Sequence, residues 1–230
     1  MSRLIPFALA GGLLLIAPAA ALAQAAAPSD QAPAPTTPAP APPVVPPVVI
    51  DGFRSAHFGM TEAEVRKAIE ADFKLTGAAV KPSDNPVERT HILSVTMPDL
   101  VPDSGKATID YVLGFKSKRL IDVRVTWSVA SDPANKPDAL VRTGLTLQGY
   151  FQTEGFPAGQ TIANGMLPDG SLVIFRGTDT EGRVVNLVLT GPVHQDAKEH
   201  KAQMTPTMLS LVYAADIAHP DVFRLQKGAF

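Results

Sequence analysis

From Ala107 to Val129 the chain alternates apolar with more polar residues, and this alternation restricts what it can fold into. Ala107, Ile109, Tyr111, Leu113 and Phe115 take every second position; after a basic turn, Ile121, Val123, Val125, Trp127 and Val129 do the same against Asp122, Arg124, Thr126 and Ser128. Successive side chains of a strand point to opposite faces, so each run presents one apolar and one polar face. That is the pattern of an antiparallel sheet buried on one side and wet on the other. Directly opposed residues of a hairpin share a face, and both apolar sets carry odd numbers. The loop around Lys116–Arg119 is therefore expected to hold an odd number of residues, three in the simplest case, unless a bulge intervenes. Trp127 falls on the apolar face and reads as core.

The stretch from Phe53 to Phe73 reads as a short strand, a turn at Gly59 and a capped helix. Thr61 sits where an N-cap belongs, and Glu64 three residues on completes a capping box. Met60 and Val65 stand at the positions of a hydrophobic staple. Val65, Ala68, Ile69 and Phe73 recur at helical spacing and form one apolar stripe. Glu62 precedes Arg66 by four residues, the favourable order for a helical ion pair. Gly77 offers a stop.

Later segments repeat these two periods. Thr90–Met97 alternates, and Pro82–Pro86 before it reads as a loop. Pro133 and Pro137 introduce a second helix running to about Glu154, with Leu140, Gly144, Leu147 and Phe151 on one face. Gly144 and Gly149 each cost a helix about 1 kcal/mol relative to alanine, so a helix that keeps them is expected to approach a sheet closely. Strands follow at Thr161–Leu167, Leu172–Gly177 and Val184–Thr190, then a polar loop from His194 to Gln203 and a last strand near Thr207–Ala215. The order predicts an α+β fold: an antiparallel sheet of six to seven strands with two main helices packed against it. The two halves, divided near residue 131, can be drawn as a degenerate repeat of a helix-plus-meander unit, or as one domain over 51–230.

The run Phe58-Gly59-Met60-Thr61-Glu62-Ala63-Glu64-Val65 resembles the helix entry of the SmpA/OmlA (BamE-like) outer-membrane assembly lipoproteins. The resemblance covers about twenty residues. It implies a small helix-plus-antiparallel-sheet module working in the cell envelope. The chain lacks the cysteine on which those lipoproteins are anchored, and its sheet region is longer. As a whole it resembles small exported bacterial proteins.

The N-terminus points to the same compartment. Arg3, the apolar run Leu4–Ala17 and the small-x-small site Ala21-Leu22-Ala23 predict a signal peptide over 1–23, with the mature chain starting at Gln24. Residues 24–50 then read as a linker: nine of the twenty positions from Pro28 to Pro47 are proline, which denies the segment helix and central strand. The expected location is the periplasm or the exterior.

The formal net charge of -2 gives no electrostatic reason to expect nucleic acid. With no cysteine, disulfides, thiolate catalysis and lipidation on cysteine are excluded. Among polar residues, His194, Asp196, Glu199 and His200 are the only local cluster with metal-ligand chemistry, at a spacing that fits no established motif. His57 and His91 fall in strand segments and read first as structural histidines. Asp110 and Arg124 on neighbouring strands, with Asp122, line the predicted wet face as a cross-strand ion pair or as a binding face. No GxSxG, GxGxxG or P-loop pattern occurs. The resulting expectation is a non-catalytic, exported binding or assembly-support domain with no cofactor and no stable membrane anchor after signal cleavage, and with an envelope protein as candidate partner. The rivals are a hydrolase or metal-dependent enzyme assembled from distant strands, and a small-ligand carrier.

Overall fold

Alternation in the two central strands becomes an eight-stranded antiparallel sheet in the computed structural model, which describes residues 46–195, 202–225 and 228. A small hairpin of β1 (Gly52–Phe53) and β2 (Ala56–His57) precedes helix α1 (Glu62–Phe73). Four strands follow: β3 (Lys81–Asp84), β4 (His91–Met97), β5 (Ala107–Leu113) and β6 (Leu120–Ser128). Helix α2 (Pro137–Thr153) leads into β7 (Thr161–Met166), β8 (Leu172–Thr178) and β9 (Val184–Thr190). A second hairpin, β10 (Val193–Gln195) with β11 (Ala202–Met204), precedes β12 (Met208–Ala214).

The strand order is β3-β4-β5-β6-β12-β9-β8-β7. Each half is thus one helix and four meandering strands, and the halves meet where β6 pairs with β12 from Met208↔Ser128 to Ala214↔Asp122. This element order is what the helix-plus-meander drawing of the two halves assumes. One apolar cluster nevertheless runs through both halves. It joins Val65 and Ile69 of α1, Leu140 and Phe151 of α2, and the inward residues Leu93, Ile109, Tyr111, Val125, Trp127, Leu187 and Leu209. Burying side chains of this size contributes about 1.5–3 kcal/mol each. Trp127 is fully buried and satisfies its indole N–H on Ser104 Oγ at 3.1 Å.

The main sheet holds eight strands where six to seven were expected. The additional one is β3, Lys-Pro-Ser-Asp, which the sequence presents as a loop. All four residues are exposed and show no alternation, and a proline in a ladder is tolerated at a sheet edge, where β3 lies.

Helix α1 starts as its sequence indicates. Glu64 Oε2 accepts the Thr61 N–H and the Thr61 hydroxyl, each at 2.8 Å. These hydrogen bonds hold the Glu64 carboxyl below its usual pKa. The helix ends on Lys74 in the left-handed region (φ 59°), and Gly77 instead opens a short 3₁₀ turn. In α2, a Cβ on Gly144 would sit 2.5 Å from Ile174 Cδ1, so this glycine does mark close approach to the sheet. Gly149 does not: nothing lies within 4 Å of its would-be Cβ.

The hairpin loop differs from the simple expectation. Residues 114–119 connect β5 to β6, an even number, and parity is restored by a bulge: Val112 pairs with Asp122 but Leu113 with Leu120. Ile121 is the extra residue. Leu120 takes the core position, 1% exposed, that strict alternation assigns to Ile121.

Residues 1–45, which hold the expected signal peptide and most of the expected linker, lie outside the described residues. The linker's last residues join the fold: Val48 donates its N–H to Gly155 O at 2.9 Å, and Ile50 is buried in the core. Among the described residues no helix is long and apolar enough to cross a membrane.

Candidate functional site

The polar face of the sheet, opposite the helices, is only partly wet. After β12 the chain turns back over it, and residues 215–224 form a strap above β5, β6 and β12. The strap is pinned at several points. Ala215 N–H reaches Ile121 O at 3.0 Å and Phe223 N–H reaches Glu88 O at 2.8 Å. Asp221 binds the β5–β6 loop, its carboxylate accepting the N–H groups of Lys116 at 3.0 Å and Ser117 at 2.8 Å. Burial alone would raise the Asp221 pKa; the hydrogen bonds from Ser117 and Lys116 outweigh it and hold it low. The Phe223 ring is fixed edge-on to Phe115 and beneath the Arg89 guanidinium at 3.8 Å.

Between strap and sheet lies a cleft of about 360 Å³. Val112, Ile121, Val212 and Ala214 form its apolar floor, and Pro220, Val222 and Phe223 its wall. Its polar groups are Glu88, Asp122, Arg124, Asp216 and Arg224. The bulge is what brings Ile121 here rather than into the core. Two smaller hollows on the helix side, about 150 and 120 Å³, are bordered by Tyr150, Phe151 and Tyr213. Of these three, the largest lies on the face away from the helices.

Of the residues assigned to a binding face, Asp122 and Arg124 line this cleft. Arg124 donates from Nε at 3.1 Å and from a terminal nitrogen at 3.0 Å to Asp122 Oδ2. The pair is formed within one strand, two residues apart on one face, although Arg124 is in register with Asp110 on β5. Asp110 instead accepts the Ser94 hydroxyl at 2.5 Å. The Asp122 side chain is 14% exposed and that of Arg124 40%. Asp122 Oδ1 is buried without a hydrogen-bond partner. Burial pushes the Asp122 carboxyl above its usual pKa despite Arg124. Burial also disfavours the Arg124 charge, but Asp122, Glu88 and Asp110 outweigh it and raise the Arg124 pKa.

The histidines lie elsewhere. His57 Nδ1 stands 3.0 Å from Asp51 Oδ2 on the exposed β1–β2 hairpin. His91 bridges sheet edge and helix, with Nδ1 2.7 Å from Asp84 Oδ1 and Nε2 3.7 Å from Glu62 Oε2. Neither reaches the cleft. His194 is in β10, paired with Gln203, while Asp196, Glu199 and His200 lie outside the described residues. Among the described residues no three His, Asp or Glu side chains converge as a metal site does. Sequence reasoning missed Glu88 and the strap. Glu88 sits in a turn without periodicity, and the tail Pro220–Arg224 carries no alternation to mark its packing.

No family model matches the chain, and neither a curated protein nor a solved structure matches it.

Proposed function

We propose that this chain is an exported, non-catalytic binding domain of the bacterial cell envelope, and that the cleft beneath its C-terminal strap holds a small ligand. The observation that carries this reading is the cleft: half-covered and mainly apolar, with few polar groups, in the size range of small-molecule sites. Its polar side chains are two arginines and three carboxylates, a set able to bind and orient a polar or charged group of a small ligand. The signal pattern before Gln24 and the SmpA/OmlA-like helix entry support an envelope location.

The test is native mass spectrometry of the full chain recovered from the periplasmic fraction, beside Ile121→Trp and Val212→Trp, which fill the cleft from two strands. Folding of each variant is checked by circular dichroism. A small molecule held by the wild type and lost from both folded variants is the expected result. Recovery only from the cytoplasm with Met1 intact contradicts export, and a bound molecule retained by both variants removes the cleft.

A further inference from the structure

Resting on that reading of the cleft, we infer that its ligand is an amphiphilic organic cation: an alkyl or aryl body on the apolar floor, with an ammonium group toward Glu88 and the Asp122–Arg124 pair. The floor and wall supply the body's site through Val112, Ile121, Val212, Ala214, Val222 and Phe223. The sign of the charge in the cleft selects the ligand's head group.

Arg124 is already compensated. Two of its N–H groups are committed to Asp122 Oδ2, and it also feels the carboxylates of Glu88 and Asp110. An anionic ligand would compete with three acidic groups for one guanidinium. At the exposed rim Asp216 and Arg224 offset each other in formal charge. In formal charge the three carboxylates and two arginines that line the cleft leave one negative charge in excess. Glu88 makes its side-chain hydrogen bond with Asn85 Nδ2 at 3.1 Å, and no ion pair to it occurs among the described residues. A cation placed beside it gains Coulomb energy that neither an alcohol nor a carboxylate gains, and the half-covered setting screens this less than open water does. The acidic groups do not converge tightly enough to hold a metal ion among the described residues. A diffuse ammonium with an apolar body fits the spacing of charge and the apolar lining together.

Three probes of one chain length separate the contributions: octylammonium, 1-octanol and octanoate, titrated below their aggregation limits into the full chain by calorimetry. Octylammonium is expected to bind about tenfold more tightly than 1-octanol, the equivalent of about 1.4 kcal/mol, and octanoate more weakly than both. Glu88→Gln should cut the preference for octylammonium several-fold and leave 1-octanol unchanged, an effect that loss of structure would not produce. Equal binding of octylammonium and 1-octanol, abolished by Ile121→Trp, overturns the cation and leaves the cleft as a site. Tighter binding of octanoate also overturns the cation. Binding of none of the three, or binding that survives both cleft-filling variants, overturns the cation and speaks against the cleft itself.

Discussion

Ile50 donates its backbone N–H to Asp179 Oδ2 at 3.0 Å, across 129 positions of sequence. Asp179 lies in the β8–β9 turn, its side chain 1% exposed, and also accepts Arg183 Nε at 2.9 Å. One carboxylate therefore ties the end of the proline-rich segment to the second meander. Burial alone would raise its pKa; the hydrogen bonds from Ile50, Arg183 and Glu181 more than offset this and hold it low.

Ile50→Ala is accordingly expected to destabilise the domain by about 2–5 kcal/mol, as a large-to-small change in the core. Asp179→Asn should cost about 1–3 kcal/mol, since it weakens hydrogen bonds to a buried charge. Because the folded pKa of Asp179 is depressed, its contribution is present above the unfolded value of about 3.9 and is lost as pH falls through the folded value. Urea melts of wild type and Asp179→Asn should differ at neutral pH and converge in acid. A difference that persists unchanged in acid would show that ionisation is not involved.

The two glycines of α2 are expected to respond with opposite signs. Gly149→Ala should stabilise by up to about 1 kcal/mol, because it removes the glycine penalty in open space. Gly144→Val should destabilise by about 1–3 kcal/mol, because it drives a branched side chain into Ile174 and Leu209. Thermal melts of the two variants check this, and a stabilising Gly144→Val would contradict the close helix–sheet contact.

Asp122 should act on pH dependence in the opposite sense to Asp179. Its folded pKa is raised, so the unfolded chain ionises first. Its contribution makes stability fall as pH rises from about 3.9 through the folded value, and stay level beyond it. Asp122→Asn should remove that decline. The readout is the melting temperature of both proteins across the acid range, where parallel curves would remove Asp122 as its source.

Asp221 is the anchor of the strap. Asp221→Ala should speed hydrogen exchange at the amides of Lys116 and Ser117, which lose their acceptor, while amides in β8 and β9 keep their protection. In the wild type the same anchor should weaken as pH falls through the depressed pKa of Asp221. Unchanged exchange at Lys116 and Ser117 in the variant would mean that the strap holds without this carboxylate.

Local chemistry was legible in the sequence. Thr61 and Glu64 mark a helix start because a cap is satisfied within four residues, and the β5 and β6 faces follow from alternation, which needs no knowledge of partners. Trp127 could be placed inward, and Asp122 and Arg124 outward, on that ground alone. What crosses the sequence was decided by tertiary structure. The bulge that exchanges Leu120 for Ile121 in the core depends on how the β5–β6 loop closes. The ladder joining β6 to β12 pairs residues far apart in the chain, and edge strand β3 owes its conformation to β4 rather than to its own Lys-Pro-Ser-Asp. Arg124 pairs with Asp122 while Asp110, its partner in register, accepts the Ser94 hydroxyl, and register alone does not choose between neighbouring carboxylates. The strap and its cleft rest on backbone groups meeting Asp221, Ile121 and Glu88, and every residue has a backbone N–H or C=O to offer, so no residue type announces such a contact in advance.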